Sequence, residues 1–169
     1  HDLALHLFAL HWSDDPVGQM VQARLALKPD GLFLGVMFGG ATLNELRTSL
    51  AEAESQVLGG LSPRVAPMAD LRDLGALIQR SGLNLPVADS RRLTVRYKSL
   101  ADLVRDLRGM GETNALAQRE KRPMPPSLFT RTEDLYRTHF SDDEGLLLAT
   151  FELVFLAGWS PSDTQQKPL

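Results

Sequence analysis

The sequence predicts an α/β fold with a parallel sheet, and three apolar runs support this prediction. Leu32–Phe38 lies between the turn residues Pro29–Gly31 and Gly39–Gly40, a pattern typical of a strand that is covered on both faces. Asp2–Phe8 is a second apolar run. The helical pattern between the two runs predicts a strand–helix–strand unit with a right-handed parallel crossover. Leu146–Trp159 is a long apolar run that predicts the last strand.

The composition is that of a globular domain. The chain has 169 residues, 43% hydrophobic and 23% charged, which is enough for one domain with a substantial core. The net charge of -3 indicates no nucleic-acid partner, and the absence of cysteine excludes disulfides, zinc–cysteine sites and thiol catalysis. No apolar run approaches the roughly 18 residues of a membrane span, and the first residues lack the features of a signal peptide. We therefore expect a cytoplasmic enzyme or binding domain.

The start of the chain predicts an incomplete sheet. The sequence begins with His1 rather than methionine and enters the apolar run Asp2–Phe8 almost at once, which indicates a fragment. An apolar strand at a sheet edge is an aggregation liability. We expect this edge to be covered, either by a segment that precedes His1 or by self-association.

The first half of the chain carries clear helix and strand signals. Asp2–Phe8 is interpreted as a strand, although its Leu and Ala residues suit a helix equally well by propensity. Asp15 predicts the N-cap of the next helix, with Pro16 at its first position. Thr42 and Glu45 have the spacing of a capping box for a helix over Thr42–Val57. A strand that opens through glycines into a helix is where open α/β sheets bind ligands.

The middle of the chain predicts one more helix and further strand. Ala69–Ser81 has helical spacing, and Gly82 is placed to end it. Leu83–Val87 and Leu93–Tyr97 are both typical of strands. They are interpreted as either one long bent strand or two separate pieces.

Two capped helices are predicted beyond this point. Ser99 has the position of an N-cap for a short helix that ends at Gly109. Thr130 and Glu133 have the spacing of another capping box, for a helix that runs through Tyr136.

Five segments together resemble the class I S-adenosylmethionine-dependent methyltransferases. They are LFALHW (Leu7–Trp12), LKPDG (Leu27–Gly31), Leu32–Leu50, LRGMGETN (Leu107–Asn114) and the end of the last strand, Ala157–Trp159. The likeness is to the subgroup that holds the malonyl-acyl-carrier-protein methyltransferase of biotin synthesis and a methyltransferase-like assembly factor of respiratory complex I. The GMGETN and FGGATLNELR segments are the specific ones, because the KPDG turn is common throughout the superfamily.

The resemblance implies a partial Rossmann-like sheet. The chain would supply strands four to seven of seven, with the last strand antiparallel, as the C-terminal portion of one domain over residues 1–160. Helical insertions are expected at about 42–68 and 99–140, and residues 161–169 are expected to form a disordered tail. The family's cofactor-binding glycine loop does not occur in the sequence. S-adenosylmethionine is therefore expected to bind the full-length protein, but not this chain tightly, and the chain alone is expected to be inactive.

The resemblance places the loop after the first strand beside the methionine and methyl group of the cofactor. The expected cofactor-binding residues are Phe8, Ala9, Leu10, His11 and Trp12. The alternative is that Leu10 and Trp12 only plug the end of the strand against the following helix.

Acceptor recognition is expected around the glycine corner and the GMGETN loop. No catalytic triad is expected, because methyl transfer depends on positioning and desolvation. Glu45 could simply cap its helix, Arg47 could be a solvated helix residue, and the GMGETN loop could be an ordinary loop after a helix. The expected substrate-binding residues are Phe38, Gly39, Gly40, Thr42, Arg47, Met110, Thr113 and Asn114.

A metal site is not expected. His1, His6 and His11 are evenly spaced by five residues, but this spacing alternates faces on a strand and splays the side chains on a helix.

Two functions from different classes remain open. The first is a methyltransferase whose acceptor is a small molecule, an acyl chain on a carrier or a protein. The second is a noncatalytic assembly or interaction protein that retains part of the fold. A nucleotide-dependent dehydrogenase would fit the parallel crossover but not the GMGETN loop.

Overall fold

The computed structural model describes residues 1–166, and it confirms the predicted α/β class. In chain order the elements are β1 (Leu3–Leu7), α1 (Pro16–Ala26), β2 (Leu32–Phe38), α2 (Asn44–Leu58), α3 (Leu71–Arg80), β3 (Asn84–Tyr97), α4 (Leu100–Gly109), α5 (Pro126–Phe140) and β4 (Leu147–Trp159). A single turn of 3-10 helix follows β1 at Leu10–Trp12.

The four described strands form one mixed sheet in the order β1-β2-β4-β3. β1 runs parallel to β2, and Leu3 pairs with Leu32. β4 runs antiparallel to β2, and Trp159 pairs with the same Leu32. The predicted parallel crossover and the antiparallel last strand are both confirmed. The order also leaves β1 at an edge of the described sheet.

The chain divides into two compact units. The strand unit comprises His1–Gly40, Met68–Arg92 and the chain from Glu152 onward, and the helical unit comprises Ala41–Pro67 and Leu93–Phe151. β3 and β4 each continue from one unit into the other. The predicted domain limits and insertions stay predictions.

The core of the strand unit lies on one face of its sheet. α1 packs against α3 on that face, and Asp15 caps α1 as predicted by accepting a hydrogen bond from the Gly18 amide at 2.8 Å. The buried core consists of Leu10, Met20, Leu27, Phe33, Met37, Leu74, Ile78, Leu83, Val154 and Leu156.

The opposite face of the strand unit is open, so the prediction that β2 is covered on both faces is wrong. Leu34 of β2 is 37% exposed, and Leu5 and Leu7 of β1 are 58% and 61% exposed. Leu5 pairs with Leu34, and with Val87 and Phe155 these residues line a shallow depression of about 290 Å³. We call this surface the open apolar face. The apolar run gives no sign of this asymmetry, because coverage depends on which helices pack there.

The two predicted capping boxes are wrong. Leu43, with φ of 55°, is the N-cap of α2, and no side chain caps this helix. The Glu45 carboxylate instead accepts hydrogen bonds from the backbone amide of Thr150, at 3.1 Å, and from its hydroxyl. Thr130 lies inside α5, which starts at Pro126. Tertiary partners and a proline start override the local motif in both cases.

The remaining sequence-based predictions fare better. β3 is one continuous strand, which settles the alternative in favour of a single piece. Ser99 caps α4 as predicted, and Gly82 adopts a positive φ of 76° just beyond α3. In the predicted disordered tail, Thr164 donates a hydrogen bond to the Asp30 carboxylate at 2.9 Å. Residues 167–169 of that tail lie outside the described residues.

Neither a membrane helix nor a metal cluster occurs in the described part of the chain. No helix there is long and apolar enough to cross a membrane. No group of three or more histidine, aspartate or glutamate side chains there is arranged to hold a metal ion.

Candidate functional site

Four aromatic side chains gather where the parallel strands β1 and β2 end. The ring centroids of Phe8 and Phe38 are 5.1 Å apart, and those of His11 and Phe38 are 5.4 Å apart. The Trp12 ring lies 5.6 Å from His11. We call these four residues the aromatic cluster. Phe8 and Phe38 come together because β1 and β2 run parallel, so their carboxyl ends lie at the same edge of the sheet.

The backbone presents part of this cluster to solvent. Phe8 adopts a φ of 49°, a conformation that costs a non-glycine residue free energy. Its amide still donates to the Val36 carbonyl at 2.8 Å, so the strand ladder continues while the side chain turns. As a result Phe8 and Trp12 remain 41% and 40% exposed. Strained residues of this kind often mark functional sites.

The other predicted cofactor residues have different surroundings. Leu10 is 1% exposed and belongs to the core of the strand unit, so its side chain plugs the strand end, as the structural alternative predicted. Trp12 does not plug the strand end, because much of its side chain is exposed to solvent. Ala9 is exposed, and its carbonyl accepts the Trp12 amide at 3.1 Å within the 3-10 turn.

The glycine corner after β2 faces a carboxylate that the sequence reasoning missed. A Cβ atom on Gly39 would lie 2.7 Å from Glu152 Oε2 and 2.7 Å from Val154 Cγ2. Glu152 is 7% exposed, and Arg92 Nε donates to it at 3.4 Å. The signal available in the sequence was a single acid inside the apolar run of β4. Gly40 is less confined, because its Cβ would lie 3.3 Å from the Met68 carbonyl.

The helical unit contains a pocket of about 370 Å³, within the range of small-molecule sites. We call it the helical-unit pocket. It is formed by one stripe of α2, one stripe of α4, the first half of α5 and the loops 59–67 and 110–125. Its lining residues are Leu46, Leu50, Arg64, Val65, Leu100, Val104, Leu107, Arg108, Glu112, Thr113, Asn114, Arg119, Glu120, Met124 and Phe129.

Two of the predicted substrate-binding residues line this pocket. Thr113 is exposed at its wall. Asn114 also lines it, but its side-chain amide donates to the Pro63 carbonyl at 2.7 Å and its carbonyl accepts the Leu116 amide. Asn114 therefore ties the two loops of the pocket together. The apolar stripes that form the floor have ordinary helical spacing, and no sequence signal shows that they leave a cavity.

The other predicted substrate residues lie elsewhere. Arg47 lines a second depression of about 380 Å³ beside the 59–67 loop. Its guanidinium donates to the carbonyls of Thr42 and Ala66 at 3.3 and 3.5 Å, so it supports that loop. Thr42 is 1% exposed, whereas Met110 is 50% exposed and is not among the residues that line the helical-unit pocket.

A buried ion pair fixes the wall of the helical-unit pocket. Glu54 is 1% exposed and accepts hydrogen bonds from the Ser62 amide at 2.8 Å and from Arg64 Nε at 2.5 Å. Burial alone would raise the pKa of the Glu54 carboxyl, but these bonds and the Arg64 charge hold its pKa below the ordinary value. Arg64 thus has its counter-ion inside the fold.

Surface arginines set the charge at the other side of the pocket. Hydrogen bonds from Arg122 lower the pKa of Glu120 to about 2. Arg119 donates to the Leu116 carbonyl at 3.1 Å, a partner that does not neutralise its charge.

Known proteins are similar to this chain over nearly its whole length. No family model matches it. It is 37% identical over 167 residues to the arginine-hydroxylase NDUFAF5, mitochondrial, of Danio rerio, covering 99% of this chain and 52% of that protein. It is 30% identical over 166 residues to the malonyl-[acyl-carrier protein] O-methyltransferase of Halorhodospira halophila, covering 98% of this chain and 54% of that protein.

Solved structures give the fold. A candidate methyltransferase from Bacillus halodurans C-125 superimposes with a TM-score of 0.55 at 13% identity, covering 95% of this chain and 70% of that structure. The fold is that of a class I methyltransferase. The YcgJ protein of Bacillus subtilis superimposes on this chain with a TM-score of 0.52 at 18% identity, covering 95% of this chain and 64% of that structure.

The matches also show how much of a relative the chain represents. It spans about half the length of the curated relatives that it matches. Over the part of the relatives that the chain matches, the resemblance of LFALHW, LKPDG and GMGETN to the methyltransferase-like group is confirmed.

Proposed function

We propose that the chain is part of an S-adenosylmethionine-dependent methyltransferase, in which the aromatic cluster lies against the methyl-donor end of the cofactor. The observation that carries the proposal is the position of this cluster, at the carboxyl ends of two parallel strands. Ligands of open α/β sheets bind at such ends. The fold of the solved relatives and the similarity to a malonyl-[acyl-carrier protein] O-methyltransferase support the same reaction class.

The residues of the cluster fit one end of this cofactor. When bound, S-adenosylmethionine supplies an electrophilic methyl group on a positively charged sulfur. Exposed rings such as Phe8 and Trp12 attract a cation through their faces. His11 and Phe38 hold these rings in place and keep water from their inner side. The polar ends of the cofactor would need partners beyond this cluster.

The helical-unit pocket is the proposed acceptor site. Its floor is apolar and its wall carries polar residues such as Thr113, which is the usual composition of a small-molecule site. One relative is named for methyl transfer to a malonyl-acyl carrier, whereas another is named for the hydroxylation of arginine, so both the reaction and the substrate differ among the similar proteins. The acceptor of this protein stays a proposal, as does the cytoplasmic location.

The decisive test is cofactor binding by the protein expressed from its full reading frame. Equilibrium dialysis with radiolabelled S-adenosylmethionine should show saturable binding. Trp12→Ala should weaken it about tenfold, the equivalent of a lost cation–π contact and its apolar surface. Leu25→Ala changes an apolar residue on α1 that is even more exposed, 63% against 40% for Trp12, and should have no effect. Absence of saturable binding, or equal affinity for both variants, would overturn the proposal.

A noncatalytic interaction protein is the second candidate. The open apolar face favours it, because contiguous exposed apolar surface marks sites of protein association. A full-length protein that binds a partner stoichiometrically but shows no saturable cofactor binding would support this candidate instead.

A further inference from the structure

The helical-unit pocket combines an apolar floor with positive charge at its mouth. Four of its lining residues are buried leucines of two helices, Leu46 and Leu50 of α2 and Leu100 and Leu107 of α4. Phe129 of α5 completes this floor. In a cavity of about 370 Å³ with such walls, burial of an aliphatic chain is more favourable in free energy than burial of a compact polar molecule.

The charges around the mouth do not cancel. Among residues 1–166, the lining residues and the ion-pair partners given for them comprise four arginines and three glutamates, which leaves one net positive charge. These residues are Arg64, Arg108, Arg119 and Arg122, and Glu54, Glu112 and Glu120.

The net positive charge comes from Arg108 and Arg119, set against the one further glutamate of the lining, Glu112. Arg64 is neutralised by Glu54 and Arg122 by Glu120, whereas the described partner of the Arg119 guanidinium is a carbonyl oxygen. The exposed Arg108 side chain, at the C-terminal end of α4, has no hydrogen-bond or ion-pair partner among residues 1–166. Arg105, one turn earlier on the same helix, is already paired with Asp102.

We propose that the helical-unit pocket binds an amphipathic anion, with an aliphatic chain on the leucine floor and a carboxylate or phosphate head at Arg108 and Arg119. Guanidinium groups are the side chains best suited to bind both kinds of head. This inference names the class of acceptor, an acyl or alkyl chain that carries an anionic group. In that respect it rests on the proposed function. A guanidinium-bearing acceptor is the opposite case, because its charge would be repelled at this mouth.

The 169 residues contain no cysteine, so a single added cysteine can carry a site-specific reporter once any cysteine in the rest of the full-length protein has been replaced by serine. Thr113→Cys places an environment-sensitive fluorophore at the pocket wall, and Val87→Cys places the same fluorophore on the open apolar face. The full-length protein carrying each reporter would be titrated with four ligands of equal chain length: decanoate, decyl phosphate, decanol and decyltrimethylammonium. The first two distinguish a carboxylate head from a phosphate head.

The expected result is a graded response at the Thr113 reporter. Both anions should bind about tenfold more tightly than decanol, and the cation should bind more weakly than decanol, since a charge-assisted hydrogen bond typically accounts for a factor of this size. Arg108→Gln should remove most of the preference for anions and leave the affinity for decanol unchanged. Arg105→Gln is the matched control and should leave both unchanged. Val104→Trp, which fills the cavity, should abolish binding of all four ligands.

Three results would overturn the proposal: equal affinity for anions and decanol, preference for the cation, or binding seen only at the Val87 reporter. These outcomes are separate from those of the cofactor test. Normal cofactor binding without anion preference would overturn this inference alone. Anion preference without cofactor binding would leave the ligand site and overturn the methyltransferase proposal.

Discussion

At the scale of single residues, Gly39 shows how space around the sheet end constrains the sequence. It lies against the buried side chains of Glu152 and Val154, and its amide donates to the Glu152 carbonyl at 2.8 Å. β2 and β4 therefore approach closely at the point where β2 turns toward the candidate site. A side chain at this position has no room unless Glu152 or Val154 moves.

Gly39→Ala should destabilise the protein by about 1–3 kcal/mol, because the added methyl overpacks a filled region. The control is Gly75→Ala. A Cβ at Gly75, inside α3, meets nothing within 4 Å, so this change should stabilise the protein by about 0.5–1 kcal/mol through helix propensity. Urea unfolding followed by circular dichroism measures both, and equal stability of the two variants would contradict the prediction.

Glu54 is the second residue whose effect can be worked out. Its folded pKa lies below the unfolded value of 4.5, so its contribution to stability is fully present above about pH 4.5. That contribution is lost as the pH falls through the folded pKa. Glu54→Gln should cost about 3–5 kcal/mol at pH 7, as expected when a buried pair loses one partner, and should flatten the loss of stability below pH 4.5.

Denaturant titrations at several pH values between 3 and 7 test this prediction. The matched control is Glu133→Gln, which breaks the more exposed pair with Arg137 on α5 and should cost at most about 1 kcal/mol. A Glu54 variant with wild-type stability, or with an unchanged pH profile, would show that the ion pair does not hold the 59–67 loop.

At the scale of elements, the helix starts show when a local signal is sufficient. Ser99 caps α4 because its hydroxyl accepts the Asp102 amide at 3.2 Å and donates to the Asp102 carboxylate at 2.8 Å, so both of its partners lie within the first turn. The same type of motif at Thr42 and Glu45 fails, because Glu45 is engaged by Thr150 from β4. A carboxylate that accepts hydrogen bonds from a distant segment is not available to cap its own helix.

This difference predicts opposite results for two similar substitutions. Ser99→Ala should destabilise the protein by about 1 kcal/mol, the usual cost of a lost N-cap. Thr130→Ala should be neutral or stabilising by about 0.5 kcal/mol, because Thr130 is an exposed position inside α5 and alanine is the better helix former. Thermal unfolding of both variants is the measurement, and a larger loss for Thr130→Ala would restore the original capping box.

At the scale of the whole molecule, the open apolar face is the largest apolar surface that residues 1–166 leave exposed on the sheet. All four strands contribute residues to this face, and β1 also lies at an edge of the described sheet. The sequence-based prediction that this edge is covered, by another segment or by self-association, stays a prediction.

The 169-residue chain studied by itself should self-associate through this face. Sedimentation velocity should show a weight-average mass that rises with concentration. Leu34→Lys, which places a charge at the centre of the face, should restore a monomer. Leu61→Lys, at an apolar residue of the helical unit that is 72% exposed, should not. A monodisperse monomer of the unchanged chain would contradict the prediction.

The sequence by itself determined the elements whose causes are local. The periodic apolar runs gave β1, α1, β2, α4 and β4 nearly to the residue. Turn and cap chemistry at Asp15, Gly82 and Ser99 acts within a few residues and was therefore legible. The resemblance carried by LFALHW and GMGETN gave the methyltransferase-like fold for the same reason, because contiguous residues encode it.

The tertiary structure alone decided everything that depends on contacts between distant segments. Only the packing of α1 and α3 shows that β2 is covered on one face. Only the approach of β4 shows that Glu152 confronts Gly39 and that Thr150 takes Glu45 from its helix. The helical-unit pocket is another such case, because a cavity exists where side chains from separate helices fail to meet. A local sequence pattern carries no information about the distance between separate helices. An apolar stripe that packs in the core and one that lines a pocket therefore have the same spacing of apolar residues.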